Sequence, residues 1–230
     1  MGWQRWAHTA TAPLAQGLWR WLRFAGTVGP EDRVGRRFGH LGPGAMLAFP
    51  QGDLVGVEHM SIGAGTIVAP HVTLSVGMAE GQPLLDGATS PVLRVGARCI
   101  LGRGSHVVAH RAVVVGDDVI TGPYCYVTDQ NHVYADPEVP IARQWPTATP
   151  VEIGAGSWLG AGAVVLPGTR LGRNTVVAAG SVVRGEHPDH VVLAGAPATV
   201  VRRWTPGEGW QPRLPDLGIT PPDDWPTTAG

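Results

Sequence analysis

An aliphatic residue recurs at every sixth position in the second half of this chain, and this period restricts the fold more than any other feature. The longest run comprises Ile153, Leu159, Val165, Leu171, Val177 and Val183. The same frame occurs earlier in shorter runs, which comprise Ile62, Val68 and Leu74, then Val95, Leu101 and Val107, then, after a slip of two residues, Val115, Thr121 and Val127. A period of six matches neither the 3.6-residue helix nor a long alternating strand. It predicts short strands joined by tight corners and repeated as a coil.

A small residue precedes most of these aliphatic positions by two, at Ser157, Ala163, Thr169, Thr175 and Ser181. Three units of six residues, about eighteen in all, close one triangular coil, and stacked coils form parallel sheets on three sides. The aliphatic side chain then points inward, the small residue takes the second inward position, and Gly suits the corners. The two cysteines, Cys99 and Cys125, fall at the small position, so we interpret them as core residues.

This repeat resembles that of the hexapeptide-repeat proteins of the left-handed β-helix type, and the resemblance extends over residues 55–200. It implies an all-β fold, a left-handed parallel β-helix. The expected organisation is a helical or capping segment at 1–50, the β-helix domain at 51–200, and an irregular, Pro-rich C-terminal tail at 201–230.

Two segments interrupt the period, near residues 75–92 and 128–150, and we expect both to leave the coil as loops. The first is bland in composition. The second contains several polar and aromatic residues, among them Asp129, Asn131 and His132. Because loops on a rigid scaffold often carry function, we expect the site at the second loop.

The N-terminal segment has the apolar pattern of a short amphipathic helix, with Leu14, Leu18, Trp21 and Leu22 on one face. We expect this helix to cap the open end of the coil, and attachment to a membrane surface is the alternative. Arginines interrupt its apolar stretch, so we expect neither a signal peptide nor a transmembrane segment.

Charge and composition narrow the function classes. The chain has 17 basic and 18 acidic residues, so it lacks the basic excess that binding to nucleic acid requires. Two cysteines are too few for a disulfide scaffold or a four-thiolate metal site. The sequence therefore favours a cytoplasmic protein that does not bind nucleic acid.

The segment TDQNH at residues 128–132 resembles the catalytic histidine segment of the O-acetyltransferases in this class, the galactoside and maltose acetyltransferase branch and its polysaccharide-modifying relatives. The resemblance implies that His132 is the general base that removes the acceptor's hydroxyl proton. Imidazole suits this role because it titrates near neutral pH. Asp129 and Asn131 are the expected substrate-binding or orienting residues beside it.

The resemblance also implies acetyl-CoA as the acyl donor, bound in a groove along stacked coils. The segments SWLGAGAVVLPG and VVAAGSVV match this part of the family, and the residues carried over are Trp158, Gly160, Ala161 and Ala179. Small side chains there let the pantetheine arm approach backbone amides.

The ending AGAPATVVRRW resembles the family segment in which a basic residue contacts the phosphates of CoA, and Arg202 holds that position. Guanidinium binds phosphate through paired hydrogen bonds. The family often has a second basic residue three positions earlier, where this chain has Thr199.

We therefore predict a homotrimeric O-acetyltransferase that transfers acetyl directly from acetyl-CoA to a hydroxyl of a sugar or related metabolite, with no metal expected. One alternative is a zinc hydratase similar to the carbonic anhydrases of this fold, in which His71, His106 and His110, shared between subunits, would be the ligands. The other alternative is a β-helical scaffold without catalysis.

Overall fold

The fold consists of one N-terminal helix followed by short strands that wind into a three-walled coil. The computed structural model describes residues 2–78, 84 and 87–213. Helix α1 spans Gly2–Ala25, and single turns of 3₁₀ helix span Gly35–Arg37, Val57–His59 and Ile141–Arg143.

The strands stack into three walls, each described here in spatial order. The first wall contains β1 (His40–Leu41), β4 (Met60–Ile62), β7 (Leu93–Val95), β10 (Val113–Val115), β15 (Val151–Ile153), β18 (Arg170–Leu171) and β21 (Glu186–His187). The second contains β2 (Met46–Leu47), β5 (Ile67–Val68), β8 (Ile100–Leu101), β11 (Ile120–Thr121), β16 (Trp158–Leu159), β19 (Val176–Val177), β22 (Val191–Gly195), β23 (Ala198–Thr205) and β24 (Gly209–Gln211). The third contains β3 (Leu54–Val55), β6 (Thr73–Val76), β9 (His106–Ala109), β12 (Tyr126–Thr128), β17 (Val164–Val165) and β20 (Val182–Val183).

Except at β23 and β24, neighbouring strands of each wall are one coil apart in sequence and pair in parallel, as in Val164 with Tyr126 and Val182. The predicted hexapeptide frame is thus confirmed, and the architecture is the left-handed parallel β-helix. The inward aliphatic residues are buried throughout, as at Leu159, Val165 and Val177. Their burial in a dry, stacked column supplies the main stabilisation of the fold.

The small inward residues are also buried, and their hydroxyl groups satisfy the backbone of the corners. Ser157 Oγ accepts the N–H of Thr175 at 3.1 Å and donates to Gly172 O at 3.2 Å. Cys99 and Cys125 occupy the same position with free, buried thiols. Burial raises the pKa of both thiols, so they stay protonated, and their interpretation as core residues is confirmed.

The corners pass close to one another where coils stack, and Gly102 marks one such approach. A Cβ atom at Gly102 would lie 2.5 Å from the carbonyl oxygen of Thr121 in the next coil. We expect Gly102→Ala to destabilise the β-helix by about 1–3 kcal/mol, because backbone rather than a flexible side chain must move. Gly17→Ala is the matched control, since nothing lies within 4 Å of that position. Thermal unfolding followed by β-sheet circular dichroism measures both, and equal midpoints would contradict the prediction.

The coil begins earlier than the expected start of the repeats at residue 55. Strands β1 and β2 already pair in parallel with β4 and β5. Leu41 and Leu47 hold the inward frame six residues apart, and Leu47 is fully buried. Two repeats followed by an irregular stretch are too short a run for the period to be recognised in the sequence.

The C-terminal segment also differs from the expected irregular tail. Strand β23 pairs antiparallel with β22, and β24 pairs antiparallel with β23, so the second wall continues to Gln211. Residues 214–230 lie outside the described residues. The loop at 75–92 is only partly described, since residues 79–83, 85 and 86 are likewise outside.

The apolar face of helix α1 that was expected to cap the coil does not pack against it. Leu14, Leu18 and Trp21 are all more than half exposed. The helix instead contacts the first coil through Trp19, whose ring centroid lies 6.2 Å from that of Phe49. Within the described residues, no helix combines the length and apolar character needed to cross a membrane.

Candidate functional site

The second predicted loop leaves the coil after β12 and forms a small hairpin, with a groove between this hairpin and the third wall. The hairpin consists of β13 (Gln130–Asn131) and β14 (Thr147–Ala148), which pair antiparallel. The groove has a volume of about 460 Å³. Its lining comprises Tyr126, Thr128, Gln130, Asn131, His132, Tyr134, Leu166, Pro167 and Arg184.

Asp129 holds the base of the hairpin and is completely buried. Its carboxylate accepts the backbone N–H groups of His110, Arg111 and Ala112 at 2.8, 2.7 and 2.7 Å. Both carboxylate oxygens are therefore engaged with the turn after β9. The side chain faces the interior and positions the hairpin, and its expected role in substrate binding stays a prediction.

Asn131 and His132 follow this anchor and stay exposed on the groove wall. The backbone of Asn131 pairs with Thr147 across the hairpin, which fixes the path of the chain into His132. An exposed imidazole that lines a groove can exchange protons with a bound hydroxyl group. The structure thus places two of the three loop residues singled out in the sequence at one groove.

His110 lies buried beside the base of the hairpin. Its exposed fraction is 5%, and its Nδ1 atom has no hydrogen-bond partner among the described residues. Burial lowers the pKa of His110, the charge of Asp129 partly opposes this shift, and nearby His132 adds to it. His110 is therefore a neutral imidazole beside the hairpin base at neutral pH.

Ala161 and Ala179 lie at successive corners between the second and third walls, and both are exposed. In the described part of the chain, their N–H groups donate to no protein acceptor. Gly160 is different, because it is buried and its N–H donates to Val177 O at 2.7 Å. A Cβ at Gly160 would lie 2.5 Å from the nitrogen of Ala179. Gly160 thus allows the two corners to lie close together, and its expected contact with the cofactor stays a prediction.

Trp158 and Arg202 lie on the outward face of the second wall. Trp158 is in register with Val176, Val176 with Val192, and Val192 with Arg202. Strands are about 4.8 Å apart, so three steps separate the two residues by about 14 Å. Trp158 is 53% exposed and Arg202 is half-buried. Ala179 lies at the corner that follows β19, the strand that contains Val176.

The two halves of the predicted site lie apart within one chain. The His132 groove adjoins Leu166 and Pro167, which follow β17 at the edge between the third and first walls. Ala161 and Ala179 precede β17 and β20, at the edge between the second and third walls. A single copy therefore presents the histidine and the free amides at opposite edges of its third wall.

The alternative zinc ligands do not form a site in one chain. Among the described residues, no group of three or more His, Cys, Asp or Glu side chains is placed to hold a metal ion. His106 points outward from the third wall between Thr73 and Tyr126, and His71 lies at a corner with a φ of 63°. His110 is buried beneath the hairpin.

Residues 150–185 match the family described as "Bacterial transferase hexapeptide (six repeats)". Two named acetyltransferases are examples of proteins that are similar to this chain in sequence. A Mycobacterium tuberculosis protein named a probable acetyltransferase, Rv3034c, is 38% identical over 48% of this chain and 37% of its own length. The galactoside O-acetyltransferase of Lactococcus lactis is 36% identical over 40% of this chain and 43% of its own length. The chain thus spans less than half of either relative.

Among solved structures, the chain is similar to a variant of AntD, an N-acyltransferase from Bacillus cereus crystallised with dTDP-4-amino-4,6-dideoxyglucose and coenzyme A. The TM-score is 0.63 at 14% identity, over 77% of this chain and 89% of that one. This likeness shows the fold. Over part of its length the chain is also similar in sequence to the bacterial transferase hexapeptide family and to a galactoside O-acetyltransferase.

Proposed function

We propose that this protein is an acetyl-CoA-dependent O-acetyltransferase that modifies a hydroxyl group of a sugar or related small metabolite. The observation that carries the proposal is the exposed His132 in a groove at the hairpin, in a chain whose relatives are named acetyltransferases. The groove also presents Tyr126, Gln130 and Asn131, whose hydroxyl and amide groups suit hydrogen bonds to a polyhydroxylated acceptor.

In the proposed reaction, His132 accepts the proton of the acceptor hydroxyl as its oxygen attacks the thioester carbonyl of acetyl-CoA. A C–O bond forms, the tetrahedral intermediate collapses with loss of the C–S bond, and the CoA thiolate takes the proton back from His132. A backbone N–H would stabilise the oxyanion of the intermediate. Cys99 and Cys125 are buried with raised pKa values, which supports direct transfer over an acyl-cysteine intermediate.

The donor would lie along Trp158 and the free amides of Ala161 and Ala179, with Arg202 on its phosphates. Because these residues and His132 lie at opposite edges of one wall, we propose that the protein works as a homotrimer. Each site then joins His132 of one copy to the donor groove of the next. The similarity to AntD, which was crystallised with coenzyme A and a sugar nucleotide, supports this pair of substrate classes.

We place this activity in the cytoplasm. The two described cysteines are unpaired and buried, as is usual for proteins of a reducing compartment.

Acetyl-CoA binding tests the donor without knowledge of the acceptor. We expect calorimetric titration of the EDTA-treated protein to show about one site per chain, with Kd in the micromolar to sub-millimolar range. Ala179→Trp should weaken binding about tenfold or more, because the bulky ring would fill the approach to the free amide. Ala155→Trp, at an exposed corner between the first and second walls, is the matched control and should bind normally. Absence of binding, with zinc found before chelation, would overturn the proposal and favour the hydratase.

A further inference from the structure

Helix α1 exposes an apolar face that no other part of the described chain covers. Leu14, Leu18, Trp21 and Phe24 are 75%, 58%, 61% and 83% exposed. At 3.6 residues per turn, the first three fall within about 60° of one another around the helix axis, and Phe24 flanks them. Large apolar side chains that are grouped in this way mark an interaction surface.

The contacts between α1 and the coil hold this face away from the β-helix. Trp19 lies on another side of the helix and packs against Phe49. The side chain of Gln51 donates to the carbonyl of Gly26 at 2.8 Å, just after the helix ends. The helix is thus docked by one side and its C-terminal end, while the apolar face points outward.

The charge distribution indicates what this face meets. Helix α1 contains no acidic residue, and Arg20 and Arg23 are exposed near its end. Residues 1–50 contain six arginines and two acidic residues, whereas the β-helix domain at 51–200 contains eight arginines and twelve acidic residues. The protein therefore has a basic N-terminal side and an acidic β-helix.

A shallow groove lies between the helix and the first coil, with a volume of about 310 Å³. Arg20 and Arg23 line it together with Phe24, Met46 and Phe49. Cationic and apolar groups are thus adjacent at the rim of the exposed face. Anionic lipid headgroups above acyl chains present the complementary arrangement.

We propose that α1 lies flat on an anionic membrane surface, with Leu14, Leu18, Trp21 and Phe24 at the level of the acyl chains and the arginines near the lipid phosphates. Tryptophan and phenylalanine suit this depth, and each arginine near the surface adds electrostatic attraction. The acidic β-helix is repelled by the same surface, so the molecule would sit helix side down. This inference does not depend on the proposed acetyl transfer.

Flotation of the full chain with vesicles tests the proposal. We expect binding to vesicles of phosphatidylcholine with phosphatidylglycerol, and much weaker binding to phosphatidylcholine alone. Leu18→Gln with Trp21→Gln should lower the partition coefficient about tenfold or more, because the apolar contribution is lost while helix propensity is kept. Trp145→Gln, which changes an equally exposed tryptophan on the hairpin loop, should bind as the unmodified protein does.

The electrostatic contribution has its own test. Arg20→Gln with Arg23→Gln should lower binding to the anionic vesicles roughly tenfold or more, whereas Arg94→Gln with Arg103→Gln should not. Equal binding to neutral and anionic vesicles, or none to either, would overturn the proposal. So would a smaller oligomer for the Leu18→Gln, Trp21→Gln variant in light scattering, since the face would then belong to an interface between copies.

Discussion

His132→Ala is expected to lower kcat for acetyl transfer about 10²-fold or more, with the Kd for acetyl-CoA nearly unchanged. An alcohol attacks a thioester slowly unless its proton is removed as the new bond forms, and Ala offers no acceptor for that proton. The proposed donor residues Ala161 and Ala179 lie at the far edge of the third wall, and Arg202 lies on the second, so the substitution leaves them in place.

Steady-state kinetics measures kcat, and calorimetry on the same preparations measures the Kd for acetyl-CoA. His40→Ala, at an exposed histidine on the first wall, is the matched control and should retain full activity. Unchanged kcat in the His132→Ala variant would remove His132 from the role of base. Loss of acetyl-CoA affinity in that variant would instead place His132 in the donor site.

The largest expected effect on stability is that of Asp129→Asn. The carboxylate accepts three backbone N–H groups in the interior, and an amide side chain would turn an N–H₂ group toward at least one of them. Hydrogen bonds to a charged acceptor each contribute about 1.5–3 kcal/mol, so we expect a loss of roughly 3 kcal/mol or more. For a chain of this size, that loss lowers Tm by about 6–12 °C.

Differential scanning calorimetry checks this effect, with Asp136→Asn as the control on the same loop. The carboxylate of Asp136 is exposed, and among the described residues it accepts only the N–H of Glu138, at 2.9 Å, so its replacement should change Tm little. Equal Tm values for the two variants would show that Asp129 does not anchor the hairpin. Low activity of Asp129→Asn below its Tm would show that the anchor also positions His132.

The periodic part of this structure could be predicted from the sequence, because each inward position demands the same kind of side chain. This requirement predicts the coil, the burial of the two cysteines and the point at which the second loop leaves the coil. Leu41 and Leu47 obey the same demand, but their two repeats are separated from the rest by an irregular stretch.

The candidate site could be predicted only in part. His132 stands in a recognisable segment, whereas the burial of Asp129 and His110 depends on how the hairpin folds back over the turn after β9. The polar sequence of the hairpin does not reveal that it folds back over this turn. Likewise, the helical pattern identifies the apolar face of α1 but not whether that face meets the coil or points away from it.

The antiparallel return at the end of the second wall also affects how molecules meet end to end. A stack of parallel coils terminates in unpaired N–H and C=O groups, onto which a further coil from another molecule could add. Strand β23 runs antiparallel along that edge and occupies the hydrogen bonds of β22, and β24 then pairs with β23. A further coil wound in parallel would not find the edge of β22 open, which disfavours growth of the second wall into a fibre of head-to-tail coils.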